Sequence, residues 1–267
     1  MIVTVTGIGL WTRGLRSWQD FLTGMGDGFV ATAGEFAAPR PEAIPPRERR
    51  RAGLTINLAV EVMHQACEMG GADKAAIASV FASAMGDTEV TDYMCRKLAT
   101  QEKLLSPTRF HNSVHNAASG YWSISAVNRQ PSSFVGGFRE SFACGLLEAA
   151  ACALGEDVAV GLAAYDVANH APFGDVLPIS ETLGLALLLL PGKKLPGNQP
   201  RWHLDLSVEA GSPPASGAEH PVLRRLADAN PTGTGLPLLE AMAAGVSREL
   251  CWPLGSGTNL RARVEPG

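Results

Sequence analysis

The chain has 267 residues, of which 46% are apolar and 18% are charged, a composition that supports a packed core and excludes extended disorder. Its net charge of −4 argues against nucleic-acid binding, which favours a strongly basic face. The longest apolar run, residues 183–190, is far shorter than the ~20 residues needed to cross a bilayer, and the N-terminus lacks the pattern of a signal peptide. Five cysteines without a CxxC pair indicate reduced thiols, so we expect a cytoplasmic protein.

The first third of the chain predicts two strands separated by helices. β-branched residues are frequent in residues 2–10, which favours an opening strand. Ser17 is a helix-capping residue type, and apolar residues at helical spacing follow the arginines of residues 47–51. The predicted elements are a strand at 2–10, a helix from Ser17 to Gly24, a proline-rich loop at 34–46, a helix at 47–70 and a strand at 75–84.

The rest of the chain contains a unit that is typical of parallel sheets. A strand at 132–138, a helix at 141–154 and a strand at 158–165 follow each other within about 34 residues, the length of a βαβ crossover. Strands alternating with helices, several of them wholly apolar, predict a layered α/β fold in which helices cover both faces of a mixed sheet. The other predicted elements are helices at 88–101 (capped by Thr88), 114–128, 220–229 and 235–245, and strands at 183–190, 202–208 and 260–264.

Three stretches stand out from this pattern: residues 46–51 (PRERRR), residues 106–120 (SPTRFHNSVHNAASG) and residues 131–149, where PSSFV opens a strand and CGLLEA lies in the next helix. In this order they resemble the thiolase-like condensing enzymes, the β-ketoacyl synthases. The resemblance implies a thiolase-like half-domain over residues 1–210, similar to the N-terminal half of such an enzyme. Residues 211–267 would be a helix–strand extension packed on the same domain. The second stretch looks most like short chain-length-factor-like subunits of aryl-polyene and type II polyketide-like pathways.

The same resemblance implies that the condensing nucleophile is missing. Counted from Pro131 along the strand, the family's cysteine falls on Arg139, whereas Ser141 and Cys144 come two and five residues later. A guanidinium is a permanent cation and cannot act as a nucleophile. The family also takes two active-site histidines from a C-terminal half, and we expect residues 211–267 to be too short to supply them.

The resemblance therefore implies a non-catalytic, chain-length-factor-type partner subunit that dimerises with a full β-ketoacyl-ACP synthase in fatty-acid or polyketide-like biosynthesis. Such a subunit needs no metal or nucleotide cofactor, since phosphopantetheine is carried by a partner acyl carrier protein. Two alternatives stay open. One is a stand-alone acyltransferase or thioesterase that uses Ser141 or Cys144, and the other is a homodimeric scaffold without an acyl pocket.

The residues around position 139 also have purely structural interpretations. For Arg139 we expect an ion pair with the adjacent Glu140, with binding of a carrier phosphate or a partner carboxylate as the alternative. Glu140 or Ser141 is expected to cap the next helix, because Ser141 lacks the glycines of a Gly-x-Ser-x-Gly nucleophile. Cys144 is expected to be a buried structural thiol.

His111 and His115 stand four residues apart, which on a helix puts both on one face. The sequence HNSVH lacks the glutamate of a zinc motif and a third ligand, so we expect no metal site. Hydrogen bonding to neighbouring loops is the favoured role of this segment. The resemblance offers a second role, which places His111, Asn112, His115 and Asn116 at the mouth of the acyl pocket, near the dimer contact.

Two further segments gain a role from the resemblance. Tyr93 and Met94 lie on an amphipathic helix and are candidates for the plug that closes the partner's acyl tunnel, with ordinary core packing as the alternative. The uncharged strand at 132–138 corresponds to the strand that pairs across the family's two-fold axis. A central position within this chain is the alternative.

The densest basic run of the chain contains Arg47, Arg49, Arg50 and Arg51. Clustered arginines suit the docking of an acidic acyl carrier protein. A solvated helix start is the alternative interpretation.

Overall fold

All of the predicted strands are present in the computed structural model, which describes residues 1–193 and 201–267. The strands are β1 (Ile2–Trp11), β2 (Ala78–Ala82), β3 (Ser132–Val135), β4 (Val160–Asp166), β5 (Leu183–Pro191), β6 (Trp202–Ala210), β7 (Arg248–Gly255) and β8 (Thr258–Pro266). Only β7 was not predicted. Its buried Leu250 and Trp252 alternate with more exposed residues, as in a strand, but Pro253 in a sequence usually indicates that a strand is interrupted. The proline is tolerated because β7 is the last strand of the sheet.

The helices differ from the prediction in several of their bounds, and the short helix Pro107–Asn112 was not predicted. They are α1 (Trp18–Asp27), α2 (Pro46–Arg49), α3 (Leu54–Gly70), α4 (Thr88–Leu98), α5 (Pro107–Asn112), α6 (Ala117–Ala126), α7 (Ser141–Glu156), α8 (Pro221–Ala229) and α9 (Leu236–Ala244). The single helix predicted at 47–70 is wrong, because the chain breaks between α2 and α3 and Gly53 enters α3 in an extended conformation. Thr88 is not the cap of α4; the Asp87 carboxylate accepts from the Val90 N–H at 2.9 Å instead. The predicted cap Ser17 is confirmed.

The described residues form one eight-stranded sheet in the order β3-β2-β4-β5-β1-β6-β8-β7. β2 pairs in parallel with β3 and β4, and the other pairs are antiparallel. α3 and α6 cover one face, and α1, α7, α8 and α9 cover the other. The predicted layered α/β class with a mixed sheet is therefore confirmed. None of the helices in the described ranges is long and apolar enough to cross a membrane.

The central strand β1 lies in direct contact with α3 because it carries glycine where the helix crosses. A Cβ on Gly7 would lie 1.9 Å from the Ala66 carbonyl oxygen, and one on Gly9 would lie 1.9 Å from that of Val62. No larger residue fits at either position without moving the helix backbone.

The last 55 residues or so are part of the same sheet and core. β7 and β8 extend the sheet beyond β6, while α8, α9 and the 3₁₀ turn Pro231–Gly235 pack on the face that also carries α7. Within this segment, the buried Glu240 carboxylate accepts from the Glu219 and His220 N–H groups and pairs with Arg248 at 3.1 Å.

A buried carboxylate joins this C-terminal segment to the ends of β2 and β4. Asp166, at the end of β4, is 1% exposed and accepts hydrogen bonds from the Ser83 hydroxyl (2.8 Å), the Ala84 N–H (2.9 Å) and the Thr232 hydroxyl (3.2 Å). Asn230 donates from its side chain to the Asp166 carbonyl at 2.9 Å. Burial raises the pKa of Asp166 to about 6, although these hydrogen bonds favour the charged form.

This pKa makes a prediction about stability and pH. Because the folded state raises the pKa of Asp166 above its unfolded value, the stability that it contributes at low pH is lost as the pH rises from about 4 through about 6. Asp166→Asn keeps the shape and cannot ionise. The free energy of unfolding of the wild type relative to the variant should therefore fall by about 3 kcal/mol across this range, measured by urea titration. The exposed Asp175→Asn is the matched control, and an unchanged pH slope in Asp166→Asn would contradict the assignment.

Candidate functional site

The chain turns sharply between the edge strand β3 and the helix α7, and we call residues 136–140 the elbow. Gly136 and Gly137 follow the strand, and residues 138–140 form a single 3₁₀ turn. Phe138 adopts φ 54°, a left-handed conformation that is unfavourable for a bulky side chain, and its ring is 43% exposed. Such strain persists only where the surrounding contacts hold it.

Ser141 holds the elbow from inside. Its hydroxyl accepts from the Gly137 N–H at 3.0 Å and donates to the Phe138 carbonyl at 2.7 Å, and the residue is 2% exposed. The predicted capping role is wrong for both candidates, since Glu140 occupies the N-cap position without a side-chain bond and Ser141 is already helical. The hydroxyl instead stabilises the preceding turn.

Arg139 is exposed to solvent. The expected ion pair with Glu140 is not formed, and the part of the chain that the structure describes supplies no other carboxylate partner for the guanidinium. At the position where counting from Pro131 places the family nucleophile, this protein thus presents an exposed, uncompensated cation.

Cys144 lies underneath the elbow, one turn into α7. Its Sγ would be 3.0 Å from a Cβ on Gly137. Burial, together with the nearby Glu140 carboxylate, raises the pKa of the half-buried Cys144 thiol. A thiol acts as a nucleophile only as the thiolate, so this environment suppresses the reactive form.

The C-terminal segment closes the space beneath the elbow with apolar groups. Phe142 contacts Trp252 edge to face at 5.7 Å between ring centroids, and a Cβ on Gly235 would lie 2.7 Å from the Phe142 ring. The Trp252 indole donates to the Thr234 carbonyl at 2.7 Å. Because residues 221–267 contain no histidine, they supply no imidazole to this site.

The segment that follows α5 runs beside the edge strand. His111 and His115 do not share a helix face as expected, because α5 ends at Asn112. Asn112 is buried, donates to the Arg51 carbonyl at 2.8 Å and accepts from the Tyr121 hydroxyl at 3.3 Å. The exposed His115 ring lies 4.9 Å from that of Phe134 in β3, and Asn116 precedes α6 without a capping bond.

The two residues considered for a tunnel plug lie on α4 and are half-buried. The Tyr93 hydroxyl accepts from the Ser106 N–H at 3.0 Å, and the Arg109 guanidinium lies over its ring at 4.4 Å from the centroid. These contacts fix Tyr93 against α5. The cleft beside α4, about 320 Å³, is lined by polar groups including Asp87, Glu89 and Asp92.

The basic run occupies α2 and the break before α3. Arg51 pairs with Glu48 at 3.6 Å. Arg47 and Arg50 are exposed and Arg49 is half-buried; these three form no ion pair with any residue in the described ranges. The Arg51 backbone is tied to Asn112, so the basic run lies close to the segment after α5.

Sequence reasoning missed two residues that shape this site. Phe138 gives no signal of its left-handed backbone beyond the glycine pair before it, and Trp252 lies on the strand that was not predicted.

The contribution of the Ser141 hydroxyl to stability can be measured. Ser141→Ala leaves the partly buried Gly137 N–H without its acceptor and removes the bond to the Phe138 carbonyl, so the free energy of unfolding should fall by about 1–2 kcal/mol. The matched control is Ser125→Ala, whose hydroxyl bonds only within its own helix, to the Trp122 carbonyl, and should change stability by less than about 0.5 kcal/mol. Equally small losses of stability in both variants would show that the Ser141 hydroxyl does not stabilise the elbow.

Comparison with known proteins agrees with this architecture. Residues 29–232 match the family model described as β-ketoacyl synthase, N-terminal domain. No curated protein sequence matches significantly. The fold is similar to a chain of the complex of the ketosynthase ApeO with its chain length factor ApeC from Xenorhabdus doucetiae, with TM-score 0.70, 19% identity, and 98% of this chain and 99% of that chain covered.

Two other solved structures share the fold at lower identity. One is the ishigamide ketosynthase/chain length factor, with TM-score 0.74, 14% identity and coverage of 100% and 99%. The other is the AntDE:AntF complex, described as a type II polyketide synthase acyl-carrier protein in complex with its ketosynthase, with TM-score 0.70, 9% identity and coverage of 99% and 99%. Since the family model covers most of the chain, this protein belongs to the β-ketoacyl synthase N-terminal-domain family.

Proposed function

We propose that this protein is a non-catalytic, chain-length-factor-type subunit that dimerises with a full β-ketoacyl-ACP synthase in a fatty-acid or polyketide-like pathway. The observation that carries the proposal is the elbow: an exposed guanidinium stands where the resemblance places the nucleophile, and burial raises the pKa of the nearby Cys144 thiol. In a chain with the family fold, the lack of an activated nucleophile favours a role in which another polypeptide supplies the chemistry.

The fold neighbours support the kind of partner. Two of them are described as a ketosynthase with a chain length factor, and a third includes an acyl-carrier protein. By analogy, the substrate would reach the complex as an acyl chain on the phosphopantetheine of an acyl carrier protein, and this chain would need no cofactor of its own. We place it in the cytoplasm, where its free cysteines remain reduced.

The structure gives little support to a stand-alone acyltransferase or thioesterase. The Ser141 hydroxyl is engaged with two backbone groups, and the pKa of Cys144 is raised, so neither is activated. We treat residues 1–210 and 211–267 as a ketosynthase-like region and its extension. The apolar contact between Phe142 and Trp252 supports a single folding unit.

The proposed function predicts both a complex and a change in product. Affinity-tagged protein, purified from the organism that carries it, should bring down a β-ketoacyl synthase in equimolar amount, identified by mass spectrometry.

In that complex, Tyr93→Ala or Met94→Ala should lengthen the acyl products if these side chains close the tunnel, measured by liquid chromatography–mass spectrometry. Tyr93→Phe and the exposed Lys97→Ala are controls that should leave the product length unchanged.

Recovery of the tagged protein without a ketosynthase would contradict the function. An intact complex whose products keep their length in both alanine variants would remove only the plug assignment.

The basic run predicts an electrostatic role in carrier binding. Arg47→Glu combined with Arg50→Glu should weaken acyl carrier protein binding to the complex by about tenfold or more in about 0.05 M salt, and by much less in about 0.5 M salt. The exposed Arg225→Glu, on α8, is the matched control. Carrier binding that is insensitive to both the substitutions and salt would show that the run is merely solvated.

A further inference from the structure

The sheet has one open end and one covered end. At the covered end, the Ser216 N–H donates to the Cys251 carbonyl of β7 at 2.8 Å, and the Ser216 hydroxyl accepts from the Cys251 N–H at 2.9 Å. At the other end, β3 pairs with β2 on one side, and no strand within residues 1–193 and 201–267 pairs with its outer edge. A strand from another chain can therefore be added to this sheet beside β3.

The surroundings of β3 are apolar. Phe138 follows the strand and is 43% exposed. Ile124 of α6, which packs beside β3, is 57% exposed, and Val127, the residue after this helix, is 76% exposed. Exposed apolar groups of this size next to an open strand edge are typical of a protein–protein contact.

An arginine lies at each end of this edge. Arg129 precedes β3 and Arg139 follows it; both are exposed, and neither forms an ion pair within the described part of the chain. The sequence between them, QPSSFVGGF, contains no acidic residue. The edge therefore carries two uncompensated positive charges.

This charge pattern disfavours pairing with a second copy. Two copies of β3 related by a two-fold axis perpendicular to the sheet run antiparallel, so the start of one strand lies across from the end of the other. Arg129 of each copy then faces the elbow of the other, which carries Arg139, and symmetry produces the repulsion twice. Glu140 offsets this repulsion only in part, because it is half-buried whereas Arg139 is exposed, and the two side chains form no ion pair in the described part of the chain.

We propose that the positive charges of Arg129 and Arg139 prevent β3 from pairing with its own copy. They favour instead a different subunit, one whose edge strand is flanked by carboxylates at both ends. This inference rests on the proposed function, in which the partner is a ketosynthase, and adds the chemistry by which the partner is chosen. Charge pairs at the ends of the strand give specificity, while the strand backbone and the apolar groups give affinity.

The test uses the full chain as its own probe. In sedimentation velocity at about 0.05 M salt, the wild type should be monomeric. Arg129→Glu alone, or Arg139→Glu alone, should form a homodimer, because each places a carboxylate opposite an arginine at both symmetric contacts. The double variant Arg129→Glu/Arg139→Glu should be monomeric again, since carboxylate then faces carboxylate.

Mixing supplies the acid-flanked partner directly. Wild type and the double variant, each monomeric alone, should form a mixed dimer that weakens by about tenfold or more at about 0.5 M salt. Arg225→Glu is the control for a change in net charge and should stay monomeric. The wild type and its four variants should have the same circular dichroism spectrum, because the substitutions are on the surface.

A wild type that dimerises as well as the single variants would overturn the inference, and so would single variants and a mixture that all remain monomeric. Either result leaves the proposed function intact if a ketosynthase still co-purifies. Conversely, if the variants associate as expected but no ketosynthase co-purifies, the proposed function is contradicted and the role of the two arginines stands.

Discussion

The hydroxyl of Ser141 fixes the turn on which the interpretation of this protein depends. By bonding both Gly137 and the carbonyl of Phe138, it holds a bulky residue in a left-handed conformation. This geometry sends Arg139 outwards and leaves Cys144 beneath the turn, where burial and Glu140 keep its thiol protonated. A helix N-terminus normally favours a thiolate, but here the local environment works in the opposite direction.

The same turn lies between the packed interior of the protein and the open edge of its sheet. Inside, Phe142 and Trp252 pack the C-terminal segment against the start of α7, and Asp166 ties that segment to β2 and β4. Outside, β3 ends at the elbow with its outer edge open. The apolar core thus fills the space beneath the elbow, and the open edge of the sheet runs along β3, between Arg129 and Arg139.

Much of the fold was predictable because its strands are short, apolar and separated by clear breaks; β5, with its run of leucines, is an example. The errors have local causes. Asp87, rather than Thr88, caps α4 because its carboxylate reaches the Val90 N–H, and Gly53 interrupts the predicted long helix. At the site, the turn between β3 and α7 was predictable from the strand and helix patterns on either side of it. The bonds of Ser141 depend on the exact shape of this turn, and the role of Asp166 depends on contacts between segments far apart in sequence.

The central claim is that this chain does not form an acyl-thioester or acyl-ester intermediate by itself. The most direct measurement is intact-protein mass spectrometry of the purified chain after incubation with an acyl-loaded and a malonyl-loaded acyl carrier protein, with carbon dioxide release followed in parallel. The account predicts an unmodified mass and no release above the carrier-only background. An acyl adduct on Cys144 or Ser141, or condensation without a second polypeptide, would contradict it.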